Sequence, residues 1–112
     1  EAVDEDIKEA EKQPAVDMMA NQPNGTLYVG VTSDLIKRTY LHRNGLLDGF
    51  TKKYACKSLV FFEIHQTMES AIVREKQLKA GSRQRKISLI ELKNSSWIDL
   101  YPHITGTSVS KL

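Results

Sequence analysis

Apolar and polar positions alternate cleanly between residues 26 and 31. Leu27, Val29 and Val31 fall on one side of the chain and Tyr28 and Gly30 on the other, which is the period of a strand over Thr26–Val31. Ala15–Ala20 is a short, mostly apolar run bounded by Pro14 and by Asn21-Gln22-Pro23-Asn24-Gly25. Asn-Gly between two such runs predicts a β-hairpin, here with a five-residue loop. Ser58–Ile64 is β-branched and aromatic and predicts a third strand.

Helical signals fill the rest. Thr32-Ser33-Asp34 offers N-cap side chains and Asn44-Gly45 a stop, so Leu35–Arg43 reads as a helix. Leu46–Ala55, with Gly45 and Gly49 loosening it, reads as a loop with at most a turn of helix. Thr67 caps a helix over Met68–Ala80, with Glu69 in its first turn and Gly81 at its end. A last helix covers about Arg83–Lys93 and ends near Asn94-Ser95-Ser96. Trp97, Leu100, Tyr101 and Ile104 supply apolar surface to pack back on the body. The order ββαβαα predicts an α+β domain, a small three-stranded antiparallel sheet flanked by helices.

Composition narrows this further. The 112 residues fit one domain, and 40% hydrophobic content suffices for a core without metal or disulfides. The single cysteine, Cys56, excludes a disulfide framework and a cysteine-based zinc site, and a reducing cytoplasm is the expected location. No apolar run is long enough to span a membrane, and the acidic start does not read as a signal peptide. The net charge of +2 conceals two unlike pieces. Residues 1–14 hold six acids and two lysines, a balance of −4; the remaining eight acids and fourteen bases leave +6. An acidic tail over 1–14, expected to be disordered and to compete for the basic surface, thus precedes a basic domain over 15–104 and a flexible end over 105–112.

A few residues break the bland pattern. Glu75 falls within the apolar stripe of Met68, Ala71, Ile72 and Leu78, where a carboxylate needs a partner or a cation. Arg38 and His42, four apart, share a helix face and join a planar anion-binding fork to a group that titrates near neutrality. Gly30, two residues from Tyr28, leaves an open patch beside the phenol. A solvated pair, a salt bridge or a core tyrosine would account for each alone. Together they form a toolkit for cutting a phosphodiester: a carboxylate for a divalent cation, an arginine for the anion, and a tyrosine or histidine for a proton.

Five segments in order carry a resemblance. Tyr28-Val29-Gly30 lies within 24–35; Lys37-Arg38 is followed by His42-Arg43-Asn44-Gly45; Gly49-Phe50-Thr51-Lys52-Lys53-Tyr54 comes next. Ala71–Lys79 around Glu75 is the fourth, and Asn94 with Trp97, Asp99, Leu100 and Tyr101 the fifth. Over roughly 15–104 the chain resembles the GIY-YIG endonuclease family. It is most similar to the short standalone bacterial proteins related to the nuclease domain of the nucleotide-excision-repair incision protein. The resemblance implies Tyr28, Arg38, His42 and Glu75 as site residues and Asn94 as a supporting one. Glu75 would bind one Mg²⁺ or Mn²⁺, and Arg38 would contact the scissile phosphate. One position departs: where the signature's first half carries a tyrosine, this chain has Asp17.

The expected activity is metal-dependent hydrolysis of DNA phosphodiester bonds, with a repair or processing role, by a monomer or weak dimer. A catalytically weakened nucleic-acid-binding module is the alternative that Asp17 motivates. Tyr28 as base at pH 7 needs a shift of about 3 pKa units, whereas His42, with a reference value near 6.5, needs almost none. That favours His42 as base, with Tyr28 orienting water or phosphate. Lys37, Lys52, Lys53, Lys76, Lys79 and Arg83 are candidate backbone-phosphate contacts within a basic stretch. No base-reading motif accompanies them, so structure- or strand-selective binding is expected.

Overall fold

The computed structural model describes residues 13–46 and 54–105. The acidic segment 1–12, the end 106–112, and Lys52 and Lys53 lie outside the described residues. The elements are β1 (Ala15–Ala20), β2 (Leu27–Thr32), α1 (Leu35–Arg43), β3 (Ser58–Ile64), α2 (Met68–Ala80), α3 (Arg83–Lys93) and a short α4 (Tyr101–Thr105). The predicted α+β architecture is present. The sheet is antiparallel in the order β2-β1-β3, so the first strand is central and wholly buried.

The hairpin differs in detail from its prediction. β2 starts and ends one residue later, and six residues separate the strands. Asn24, not Gly25, takes the left-handed conformation, at φ 57°. Gly25 is needed for room, because a Cβ there would press on Gln22 and the side chain of Asn21. The Asn21 Oδ1 accepts from the Thr26 amide at 2.9 Å, and the Arg83 guanidinium donates to the carbonyls of Asn24 and Gly25 at 2.7 and 2.8 Å.

Side chains from both faces of the sheet are buried. Val16, Met18, Ala20 and Val29 pack with Ala71 and Leu78 of α2, Ile90 of α3 and Trp97. Ala15, Met19 and Leu59 pack with Leu35 of α1, Cys56, Leu100 and Ile104. The predicted stripe of α2 is narrower than its sequence suggests. Ala71 and Leu78 are buried, but Met68 and Ile72 are 36% and 37% exposed. A small alanine at the contact lets the helix approach the strands closely and leaves those larger neighbours at the rim.

β3 pairs with β1 through a shift between Met18 and Met19, and Val60 has no register partner. The chain bulges there. Asn94 donates to the Val60 carbonyl at 3.1 Å and to that of Ile98 at 2.9 Å, and its Oδ1 accepts from the Ile98 amide at 3.0 Å. The Leu59 amide donates to Asp99 at 3.1 Å, and the Leu59 carbonyl accepts from Leu100 at 2.7 Å. The C-terminal segment thus covers the edge strand that would otherwise present unpaired backbone.

Candidate active site

The site begins with register. Asp17 on β1 lies opposite Gly30 on β2, and Met19 lies opposite Tyr28. Period-two alternation puts Asp17 on the same face as Ala15 and Met19, and Tyr28 beside Gly30. The helix that follows β2 is started by Asp34, whose carboxylate accepts from the Lys37 amide at 3.1 Å. Capping there aims Arg38, in the first turn, back across β2.

Arg38 packs directly over Gly30. A Cβ on Gly30 would collide with the guanidinium, so glycine is what admits it. The Nε of Arg38 donates to Asp17 Oδ2 at 2.7 Å. The guanidinium carbon also lies 5.6 Å from the centre of the Tyr28 ring. His42, one turn further on, is 4% exposed, and its ring centre is 5.9 Å from that of Tyr28. Tyr28, Arg38 and His42 therefore come together.

Four buried atoms here have no hydrogen-bond partner among the described residues: Asp17 Oδ1, Arg38 Nη2, and both ring nitrogens of His42. Buried polar groups are nearly always satisfied, and clusters of exceptions mark places where water or ligand belongs. A surface groove of about 420 Å³, bordered by Thr32, Ser33, Asp34, Lys37, Arg38 and Leu41, opens beside the guanidinium. A larger cleft of about 490 Å³ between α2 and α3 contains none of these groups.

The titrating groups are strongly affected. Asp17 is fully buried, and desolvation raises its pKa; Arg38 opposes the shift and the charge of Glu75 adds to it. His42 is lowered to about 4, first by burial and then by the neighbouring Arg38 charge. It is therefore neutral at pH 7 and able to accept a proton, but a weaker base than its reference value suggests. The energetic preference for His42 over Tyr28 rested on an unshifted imidazole and is reduced by this burial. What still favours His42 is that it is neutral at pH 7, whereas a phenol must first lose its proton to act as a base. An anionic phosphate at Arg38 would offset part of the charge that depresses it.

Glu75 lies on α2, which packs on β1 and β2. Its side chain is only 13% exposed and forms an ion pair with Lys79, four residues on, at 2.7 Å. The partner anticipated for a carboxylate in that stripe is thus a half-exposed lysine. Lys79 and Arg83, both read as phosphate contacts, are engaged within the protein; Lys37 and Lys76 are exposed. Asn94 is not brought into the cluster by any bond of its side chain, whose amide is committed to Val60 and Ile98.

Other groups turn out to be structural. Glu63 receives two bonds from Arg74, at 3.0 and 3.2 Å, and one from His65 at 3.0 Å. Burial works against its ionisation, but these donors prevail and lower its pKa. Trp97 is a packing anchor that donates to Glu91 at 2.8 Å. The Asp17–Arg38 pair is the contact in this cluster that sequence reasoning missed. Asp17 was singled out only as a departure, because strand pairing has to be known before residues 17 and 38 are neighbours.

The chain is also similar to known proteins. The model of the GIY-YIG catalytic domain matches residues 15–88. A UPF0213 protein of Staphylococcus saprophyticus is 39% identical over 67 residues, covering 60% of this chain and 82% of the relative. One from Staphylococcus epidermidis is 34% identical over 68 residues, covering 61% and 83%. The solution structure of a UPF0213 protein from Bacillus halodurans superposes with a TM-score of 0.48 at 26% identity, covering 88% of this chain and 97% of that one.

Proposed function

This chain belongs to the GIY-YIG catalytic-domain family, and from that premise we propose that it is a divalent-cation-dependent DNA endonuclease. The observation that carries the reading is the guanidinium of Arg38, seated on Gly30 beside Tyr28 and His42 with Nη2 unpartnered. That nitrogen is a donor with no acceptor among the described residues, and the residue that carries it borders the adjoining groove, where a phosphodiester oxygen would meet the guanidinium. The exposed Lys37 on the groove's rim adds a second positive charge for the backbone.

The donor set fits a hard cation. Among the described residues no three His, Cys, Asp or Glu side chains converge, which argues against a zinc-type site. Mg²⁺ is commonly held by one or two carboxylates, with water and phosphate completing its shell. Glu75 suits that role, because its partner Lys79 is half exposed and can turn to solvent when a cation takes its place. A bound cation would stabilise charge on the leaving oxygen.

The chain's own residues do the rest. Arg38 holds the phosphate, Tyr28 orients the attacking water or the phosphate, and neutral His42 accepts the proton through a ring nitrogen. Removing a positioned general base typically costs 10²–10⁴-fold in rate. His42→Ala should therefore fall by about 100-fold or more and Tyr28→Phe by less; full activity in both would reject these roles. Structure- or strand-selective binding is the expected mode, in a repair or processing setting, since phosphate contacts carry no sequence information.

Incubation with nicked, branched and single-stranded DNA in Mg²⁺, Mn²⁺ or chelator tests the whole reading. Metal-dependent product is expected. Binding with no product on any substrate would favour a catalytically weakened binding module. The specific observation behind that second reading is Asp17, which already engages the proposed phosphate ligand.

A further inference from the structure

Asp17 stands out when every group of the site is asked for its role. It is a carboxylate on the central strand with no exposed surface, in a site built to receive an anion. Its register partner is Gly30, whose missing side chain leaves space beside it on that face. Arg38 fills that space and meets Asp17 at 2.7 Å through Nε. Oδ2 thereby sits where an oxygen of an anionic ligand would bind the same edge of the guanidinium.

We propose that Asp17 is a specificity-determining residue that acts as an internal competitor for the phosphate clamp, so that Arg38 grips a phosphodiester weakly while the Asp17–Arg38 pair is intact. The inference rests on the nuclease reading of this site and adds how its affinity is set. A charge pair buried together cancels most of its field at a third position, and the carboxylate also repels an incoming phosphate. What the paired Arg38 still offers is Nη2, a donor with little net charge behind it. The contact is held firmly: removing one member of a buried pair is costly, and Asp17 has no water-exposed alternative. The other charges facing this pair are few. Glu75 adds negative charge from α2, Lys79 neutralises Glu75 from the solvent side, and His42 is uncharged at neutral pH.

The experiment measures binding of a single-stranded oligodeoxythymidylate in chelator, where no cleavage intervenes, by fluorescence anisotropy. Asp17→Asn keeps the shape and removes the charge, and it should tighten binding by about tenfold. Arg38→Gln should weaken binding by the unaltered protein only a few-fold, and by the Asp17→Asn protein by about tenfold more, which abolishes the gain. Equal or weaker binding by Asp17→Asn, or a tenfold loss from Arg38→Gln alone, would overturn the proposal. Should Asp17→Asn fail to fold, the unaltered protein still decides. Its Arg38 Nε–H should keep the exchange protection of a proton bonded to Asp17 on adding the oligonucleotide in chelator, and loss of that protection at saturation would overturn the idea. A gain in binding with no cleavage under any metal upholds this inference and rejects the nuclease. Metal-dependent cleavage with no gain in binding does the reverse, and no binding by any form rejects both.

Discussion

His42 shows most clearly how environment remakes a residue. Its imidazole is buried beside a guanidinium and lowered to about 4, below the unfolded value of 6.5. An unfolded chain therefore takes up the proton first as pH falls. The neutral histidine's contribution to stability is complete above about pH 6.5 and is lost as pH drops toward 4. Over that window the loss is about 2–3 kcal/mol. Asp17 acts in the opposite sense. Its raised pKa means that the cost of burying its charge is relieved as pH falls. His42→Asn should flatten the pH dependence of the urea midpoint between pH 7 and 4.5. Parallel profiles for the two proteins would show that His42 is not held neutral in the fold. The residue types of the site were legible from sequence. Their titration was not, because desolvation depends on what covers a side chain.

At the scale of elements, caps and turns were readable because their signals are local. Asp34, Thr67 and Ser82 each accept a bond from the amide three residues on, as N-caps do. The bulge in β3 was hidden, since Ser58–Ile64 reads as an uninterrupted strand and only pairing with β1 exposes the extra residue. Asn94 serves that bulge. Asn94→Ala would leave the Val60 carbonyl and both backbone groups of Ile98 without their partner, at a cost of about 2–3 kcal/mol. Thermal unfolding should show the loss, with the residual folded protein cleaving at a near-normal rate. A strong loss of cleavage at unchanged melting temperature would instead move Asn94 to the chemistry. Arg43 works at the same scale, pairing with Asp99 and stacking 4.7 Å from the centre of the Tyr101 ring, which ties α1 to the C-terminal segment.

For the whole molecule, the +6 balance of residues 15–112 predicts binding that weakens steeply with salt. Four to six phosphate contacts would reduce affinity by about 10²–10³-fold between 50 and 200 mM salt. Of the bases proposed, Lys37 and Lys76 are exposed, and Lys79 would become available on leaving Glu75. Lys76→Ala should lower the slope of log K against log salt by about one, uniformly across DNA sequences. Arg83→Ala should leave the slope nearly unchanged, because that guanidinium is spent on the carbonyls of the β1–β2 turn. An equal fall in slope for both would mean that the turn contact yields to DNA.

Periodicity, caps and turn chemistry set the order of strands and helices, and ordered motifs identified the family, because each is carried by residues a few positions apart. The same spacing put Arg38 and His42 on one helix face and Tyr28 beside Gly30. Strand order, the bulge at Val60 and the exposure of Met68 and Ile72 came only from the tertiary structure. So did the ion pair between Asp17 and Arg38, twenty-one residues apart in the chain. Those depend on which surfaces meet, and burial then decides which carboxylate is paired, which imidazole stays neutral, and which nitrogen of the guanidinium is left without an acceptor among the described residues.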